Sequence, residues 1–129
     1  MIFGTGVDIV EIRRMKDAKN KWGNNFLDKV FTKREIAYSE SKSFPPQHFA
    51  ARFAAKEAVA KAFGAPKKTP ISWTDVEVLN DSDGKPIVKF HGTAQKLMKK
   101  YGIYDVVISM SHTRNYAVAN AILLKKGAK

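Results

Sequence analysis

Two carboxylates, a short run of cations and one polar triplet are the residues of this chain best suited to chemistry. In FAAKEAVAKAFG (53–64), Glu57 stands among alanines and phenylalanines, between Lys56 and Lys61. One reading is an i,i+4 ion pair with Lys61, worth about 0.3–0.5 kcal/mol if exposed. The other starts from the burial that so apolar a helix implies, because a buried glutamate needs a partner or a metal. Asp8 is the second acid. In MIFGTGVDIV, strand alternation puts Phe3, Thr5, Val7 and Ile9 on one face and Gly4, Gly6, Asp8 and Val10 on the other. Asp8 is then either a strand-end cap for the next helix or a hard-cation ligand with room beside two glycines. Mg²⁺ uses one or two carboxylates and completes its octahedron with water and substrate phosphate. Asp8 and Glu57 suffice if the fold joins them.

The cations Arg52, Lys56 and Lys61 share the helix of Glu57. They are placed to hold phosphate oxygens, although for Lys56, near the aromatic face, a stem snorkelling past phenylalanines is the alternative. The triplet Ser111-His112-Thr113 joins two apolar runs. Neighbours on a strand point to opposite faces, so Ser111 and His112 do not form a nucleophile–base pair, and no G-x-S-x-G is present. Turn chemistry is one reading of the triplet, and a histidine donating to phosphate is the other. His48 and His91 have no suggestive company, and the three histidines lack metal-ligand spacing.

These groups need elements to hold them. Strand 1–10 leads into a helix over 11–22, with Ile12, Met15 and Trp22 as buried contacts, and a turn at Gly23-Asn24-Asn25. TKRE (32–35) matches a capping box and opens a short helix to Ser39. Pro45-Pro46 starts a helix running from Pro46 to Phe63 and stopped by Gly64. Phe49, Phe53, Ala60 and Phe63 fall on one side of it and Ala50, Ala54 and Ala58 on a second, so it is expected to bury most of its circumference and cross a sheet centrally. Residues 65–73 form a loop. DVEVLN and PIVKF form a hairpin around Asp83-Gly84. Thr93 caps a helix that Gly102 ends, and DVVISM and NYAVANAILL read as central strands. The order β-α-α-α-β-β-α-β-β predicts an α+β fold, a mainly antiparallel sheet wrapped around a long central helix. The chain reads as one domain, 1–129, with 125–129 a loose tail, and without repeats, linkers or low-complexity segments.

Charge and composition narrow the partners. The chain has 129 residues, 23 Lys+Arg against 12 Asp+Glu, and a net charge of +11, which favours anionic partners without choosing among them. It has no cysteine, hence no disulfide frame or thiolate metal site, which suits a reducing compartment. The N-terminus lacks a signal-peptide pattern and no stretch approaches the roughly 20 apolar residues of a membrane span. A cytoplasmic protein without a membrane partner is expected. Backbone binding to nucleic acid fits the charge, but helix-turn-helix, zinc-finger, RNP and KH signatures are missing.

Four segments in order, GVDIVEI, RFAAKEAVAKAFG, DGKP and SMSHTRNYAVA, give the chain a family resemblance over essentially its whole length. It closely resembles the bacterial holo-[acyl-carrier-protein] synthases of the 4′-phosphopantetheinyl transferase superfamily, short type. The resemblance implies transfer of 4′-phosphopantetheine from coenzyme A to a serine of apo-acyl carrier protein, with Mg²⁺, releasing adenosine 3′,5′-bisphosphate, in fatty acid biosynthesis. It implies Asp8 and Glu57 as metal ligands, and Arg52, Lys56 and Lys61 near the coenzyme phosphates. It places Gly84, Lys85 and Pro86 at the adenylate end, and Ser111, His112 and Thr113 at the phosphates. Arg13 and Arg14 would meet the acidic carrier protein. Glu57, or a water it orients, would accept the serine proton, and Lys61 would offset charge on the transferring group. Where the family continues KAFG with a Thr-Gly-type turn this chain has AFGAPKKTPIS, so no residue is carried over from that loop. Short members form trimers and larger relatives look like two fused copies, so His112 of one protomer is expected to face Asp8 and Glu57 of its neighbour. The rival readings are a basic nucleic-acid-binding module and an inactive domain that docks carrier protein.

Overall fold

The computed structural model describes residues 1–64 and 70–127. Two antiparallel sheets flank one long helix. The first sheet holds β1 (Ile2–Glu11), β5 (Tyr116–Lys125) and β4 (Ile103–His112) in the order β1-β5-β4. The second is the hairpin β2 (Val76–Asn80) and β3 (Pro86–Phe90). Between them runs α3 (Pro45–Ala62), with α1 (Ile12–Val30), α2 (Lys33–Glu40) and α4 (Gly92–Tyr101) around the edges. The α+β, antiparallel expectation holds. The sheet is divided because α3 is apolar on nearly every side. One sheet covers Ala54, Ala58 and Ala62, while β2 and α2 cover the flank with Ala55, Lys56 and Val59.

The contact of α3 with β1 depends on glycine. A Cβ on Gly6 would run into the carbonyl oxygen of Ala58, and one on Gly4 into that of Ala62. The backbones touch there, so the space the two glycines leave is filled by the helix. Asp8 lies next along the same half-buried face, while Val7 and Ile9 point outward, 60% and 63% exposed.

The opposite flank of α3 is held by charge. Lys56, its side chain fully buried, pairs with Glu35 at 2.7 Å and donates to the carbonyls of Trp73 and Val76. Burial pulls the lysine below its usual pKa, and Glu35 pushes back. Glu35 closes the capping box from Thr32, and its second oxygen accepts from the Val78 N–H at 2.8 Å. Glu77 beside it takes bonds from Thr32, Arg34 and His91. Burial alone would raise the Glu77 carboxyl, but these donors outweigh it and hold it down to about 2.

Several local expectations change. Trp22 is 55% exposed, because α1 breaks at Gly23 (φ 56°, ψ −136°) and continues to Val30 with Leu27 and Val30 on the buried side. Thr93 is not an N-cap. His91 takes that place, and Asp75 reaches the helix from outside, accepting from the Thr93 N–H at 3.1 Å past the bare α-carbon of Gly92. β4 is an edge strand and only β5 is central, since β5 pairs on both sides. Lys125 belongs to β5 and bonds Met1 rather than starting the tail. Of the expected loop 65–73, residues 65–69 lie outside the described residues and Trp73–Asp75 form a 3₁₀ turn. The Asp83-Gly84 hairpin (Gly84 φ 83°) and the left-handed Gly102 terminus form as expected.

Two outcomes follow. Gly6→Ala forces α3 off β1 and is expected to cost about 3 kcal/mol or more, lowering the thermal midpoint by about 10 °C in a calorimetric scan. Glu77 sits below its unfolded value, so its contribution is present above about pH 4.5 and is lost as pH falls toward about 2. Urea unfolding of wild type is expected to lose up to about 3 kcal/mol over that window, and Glu77→Gln to flatten that slope.

Candidate active site

Glu57 and Asp8 line the same cavity, of about 350 Å³, together with Arg14, Met15, Phe26 and Phe53. β1 supplies Asp8, opposite Ala119 of β5, and the glycine contact two residues earlier sets its height against α3. α3 supplies Glu57, and one turn later Lys61. The ammonium of Lys61 donates to Asp8 Oδ1 at 3.0 Å and to the Val7 carbonyl at 3.1 Å. The ion pair of Lys61 is thus with Asp8 across the fold, not with Glu57 one turn away. Asp8 does not cap α1, whose N-cap, Glu11, makes no side-chain cap bond. Glu57 Oε1 instead accepts from the indole N–H of Trp73 at 2.6 Å.

The donor set suits a small, hard cation. Both groups are carboxylates and they border one open space. Among the described residues no group of three or more His, Cys, Asp or Glu gathers anywhere. Asp8 and Glu57 could hold an ion that takes its remaining oxygens from water and substrate, as Mg²⁺ does.

The other expected residues are placed as follows. Lys56 neither snorkels nor turns toward the cavity, because its ammonium is committed inside. Arg52 is buried, its guanidinium 4.1 Å from the centre of the Tyr38 ring and bonded to Asn80 Oδ1. Asn80 in turn donates to the Gly84 carbonyl at 3.0 Å, so Arg52 braces the hairpin that carries Gly84, Lys85 and Pro86. Those three residues are not among those lining the Asp8 cavity. Ser111, His112 and Thr113 are exposed on the far side of β5. Gln47 approaches His112 Nε2 at 3.0 Å, and Thr113 closes the turn by bonding Tyr116 in both directions. Arg14 lines the Asp8 cavity, whereas Arg13 lines a neighbouring cleft of about 590 Å³ with Lys16, Arg114 and Tyr116.

Trp73 and Arg114 carry no functional signal in the sequence, and Phe53 reads there only as a core residue of the helix. A tryptophan after a loop carries no periodic signal. Arg114 was legible only as the residue following the polar triplet.

A family model, the 4′-phosphopantetheinyl transferase superfamily, matches residues 4–121. The chain is 43% identical over 123 residues to the holo-[acyl-carrier-protein] synthase of Koribacter versatilis, covering 95% of this chain and 98% of that one. In structure it is similar to the Neisseria meningitidis holo-[acyl-carrier-protein] synthase (TM-score 0.86, 32% identity, 97% of this chain and 100% of that one). It is also similar to the Bacillus anthracis synthase in complex with coenzyme A (3′,5′-ADP) (TM-score 0.77, 32% identity, 98% of this chain and 99% of that one). The strand bearing Asp8, the helix bearing Glu57 and Lys61, and the β2–β3 hairpin all fall within these matches. The chain belongs to the 4′-phosphopantetheinyl transferase superfamily, among the holo-[acyl-carrier-protein] synthases.

Proposed function

We propose that the chain is an Mg²⁺-dependent cytoplasmic enzyme that transfers 4′-phosphopantetheine from coenzyme A to a serine of an apo-acyl carrier protein, for fatty acid biosynthesis. The observation that carries the reading is the shared cavity of Asp8 and Glu57, with Lys61 bonded to Asp8. The names of the relatives, and the coenzyme bound in the Bacillus anthracis structure, supply the substrate class. No helix of the described residues is long and apolar enough to cross a membrane.

In this reaction the serine oxygen bonds to the β-phosphorus of coenzyme A. The bond from that phosphorus to its bridging oxygen breaks, and adenosine 3′,5′-bisphosphate leaves. A bound divalent cation would supply Lewis-acid charge to the diphosphate. Phosphoryl-type transfers pass through loose transition states, so placement and charge matter more than a strong base. Lys61 is the flexible cation at the rim. Its ammonium can pass from the Val7 carbonyl to a phosphate oxygen while keeping Asp8 as partner. Glu57 is the carboxylate placed to accept the serine proton, directly or through a water. Arg13 and Arg14, with Lys16 and Arg114 nearby, present cationic charge to an acidic carrier protein and speed encounter at low salt.

The working unit is a trimer in which Ser111, His112 and Thr113 of one copy approach Asp8 and Glu57 of the next. Two features support this. The triplet stands apart from the cavity within one chain. The outer face of β1-β5-β4 is also uncovered, with Val7, Ile9 and Val107 exposed.

The direct test mixes the chain with coenzyme A, Mg²⁺ and an apo-carrier protein. A carrier mass gain of about 340 Da supports transfer, whereas nucleic-acid affinity indifferent to Asp8→Ala, or carrier binding without mass gain, supports a rival. Lys61→Ala is expected to lower kcat by about 10²–10³ in that assay, the usual loss for one donor at a developing charge. Inactive His112→Ala and Glu57→Gln chains, refolded together, are expected to recover up to about a quarter of wild-type turnover, since a cyclic trimer then re-forms some intact sites. No recovery from mixed trimers would remove the shared-site model.

A further inference from the structure

Glu57 has a neighbour that no motif of the sequence contains. The Trp73 indole donates to its Oε1 at 2.6 Å. Trp73 begins the 3₁₀ turn Trp73–Asp75, and that turn is fastened at both ends. At one end Lys56, the residue before Glu57, donates to the Trp73 carbonyl at 2.9 Å, and its ammonium also reaches the Val76 carbonyl just past the far end. At the other, the Asp75 carboxylate accepts from the Thr93 N–H at 3.1 Å, and its carbonyl from the His91 N–H at 2.8 Å. The indole ring also packs on Phe53, one turn before Glu57, with ring centroids 6.0 Å apart. Backbone and ring together therefore fix where the N–H points.

A fixed donor acts on a carboxylate as outer-shell partners act on metal ligands, by selecting one orientation before the ion arrives. A free glutamate would lose rotamer entropy on binding an ion. Here that loss is taken when the protein folds. We infer that Trp73 is a positioning residue for Glu57. Its N–H holds Oε1, so that Oε2 is presented to the Asp8 cavity ready for a divalent cation. The inference rests on the reading of Asp8 and Glu57 as a cation site. It adds that Lys56, through the carbonyl of Trp73, and Trp73, through its indole, form a closed link from α3 out to the turn and back to α3.

Trp73→Phe keeps a ring against Phe53 and deletes the donor. Mn²⁺ binding to the full chain, with coenzyme A present, is read from loss of the free-ion electron paramagnetic resonance signal, alongside the Mg²⁺ dependence of transfer. The Mn²⁺ dissociation constant and the half-saturating Mg²⁺ concentration are both expected to rise about tenfold, with kcat at saturating Mg²⁺ little changed. A variant that melts lower but binds Mn²⁺ like wild type overturns the inference and leaves the cation site standing. Wild type that binds no Mn²⁺ brings down the cation site itself, and the inference with it. Should Trp73→Phe fail to fold, Trp22→Phe decides, because it leaves Trp73 as the only indole of the chain. Emission from Trp73 should change over the Mn²⁺ range in which the ion binds, and unchanged emission while it binds overturns the inference.

Discussion

The carbonyl oxygens of Ala58 and Ala62 occupy the space that side chains at Gly6 and Gly4 would need. This backbone-to-backbone approach of α3 to β1 is the constraint on which the site depends. Strand geometry carries the chain about 6–7 Å from Gly6 to Asp8 on the same face. Helix geometry puts Glu57 and Lys61 one turn apart on the same face, beside the Ala58 contact. With any larger residue in the strand the helix would stand off, and Lys61 could not reach Asp8. A helix held this close on one side must be covered on its others. The β2–β3 hairpin and α2 do so, and α3 contributes to both hydrophobic clusters of the fold.

The opposite flank of α3 shows a different economy. A buried ion pair such as Lys56 with Glu35 is seldom a better stabiliser than packed apolar side chains, because desolvation offsets the attraction. What it has is direction. The three ammonium hydrogens of Lys56 take one carboxylate oxygen from α2 and two carbonyls from the Trp73 turn, two separate parts of the chain. Glu35 reaches the Thr32 and Val78 N–H groups as well. Leucine in place of Lys56 could fill the volume but could not fix the Trp73 turn, and that turn reaches Glu57.

Most of the elements were legible because local signals and global packing agree. The TKRE box, the Pro-Pro helix start, the Asp83-Gly84 turn and the Gly102 terminus each carry their chemistry within a few residues. Of the acids, Asp8 was legible from strand alternation and Glu57 from its incongruous surroundings. What stayed hidden was tertiary. Glu35 reads locally as a cap and nothing in TKRE announces a buried lysine partner. Lys56 and Lys61 look alike in sequence, yet one faces α2 and β2 and the other faces β1, a matter of helix phase against a second sheet whose position the pattern does not give. Thr93 failed as a cap because a carboxylate 18 residues away in sequence does the work instead.

The charge around the cavity also has a consequence for how many copies a site requires. Coenzyme A brings a diphosphate and a 3′-phosphate. Within one chain the cations on the helix of Glu57 are unequal to that load, since Lys56 is neutralised by Glu35 and Arg52 is turned to Tyr38 and Asn80. Among the cations of the described residues, only Lys61 on α3 and Arg14 on α1 border Asp8 or its cavity. A divalent ion would offset part of the remainder, but the 3′-phosphate lies at the other end of the nucleotide and needs its own donors. Ser111, His112 and Thr113 offer hydroxyls and an imidazole, and they stand at the end of β4 and in the turn after it, next to the uncovered sheet face. A second copy seated on that face, as proposed, would bury Val7, Ile9 and Val107 and bring fresh donors to the rim in the same step. In the proposed trimer, the exposed apolar sheet and the few cations that the described residues bring to the Asp8 cavity would have one remedy, a neighbour closing the open side of the site.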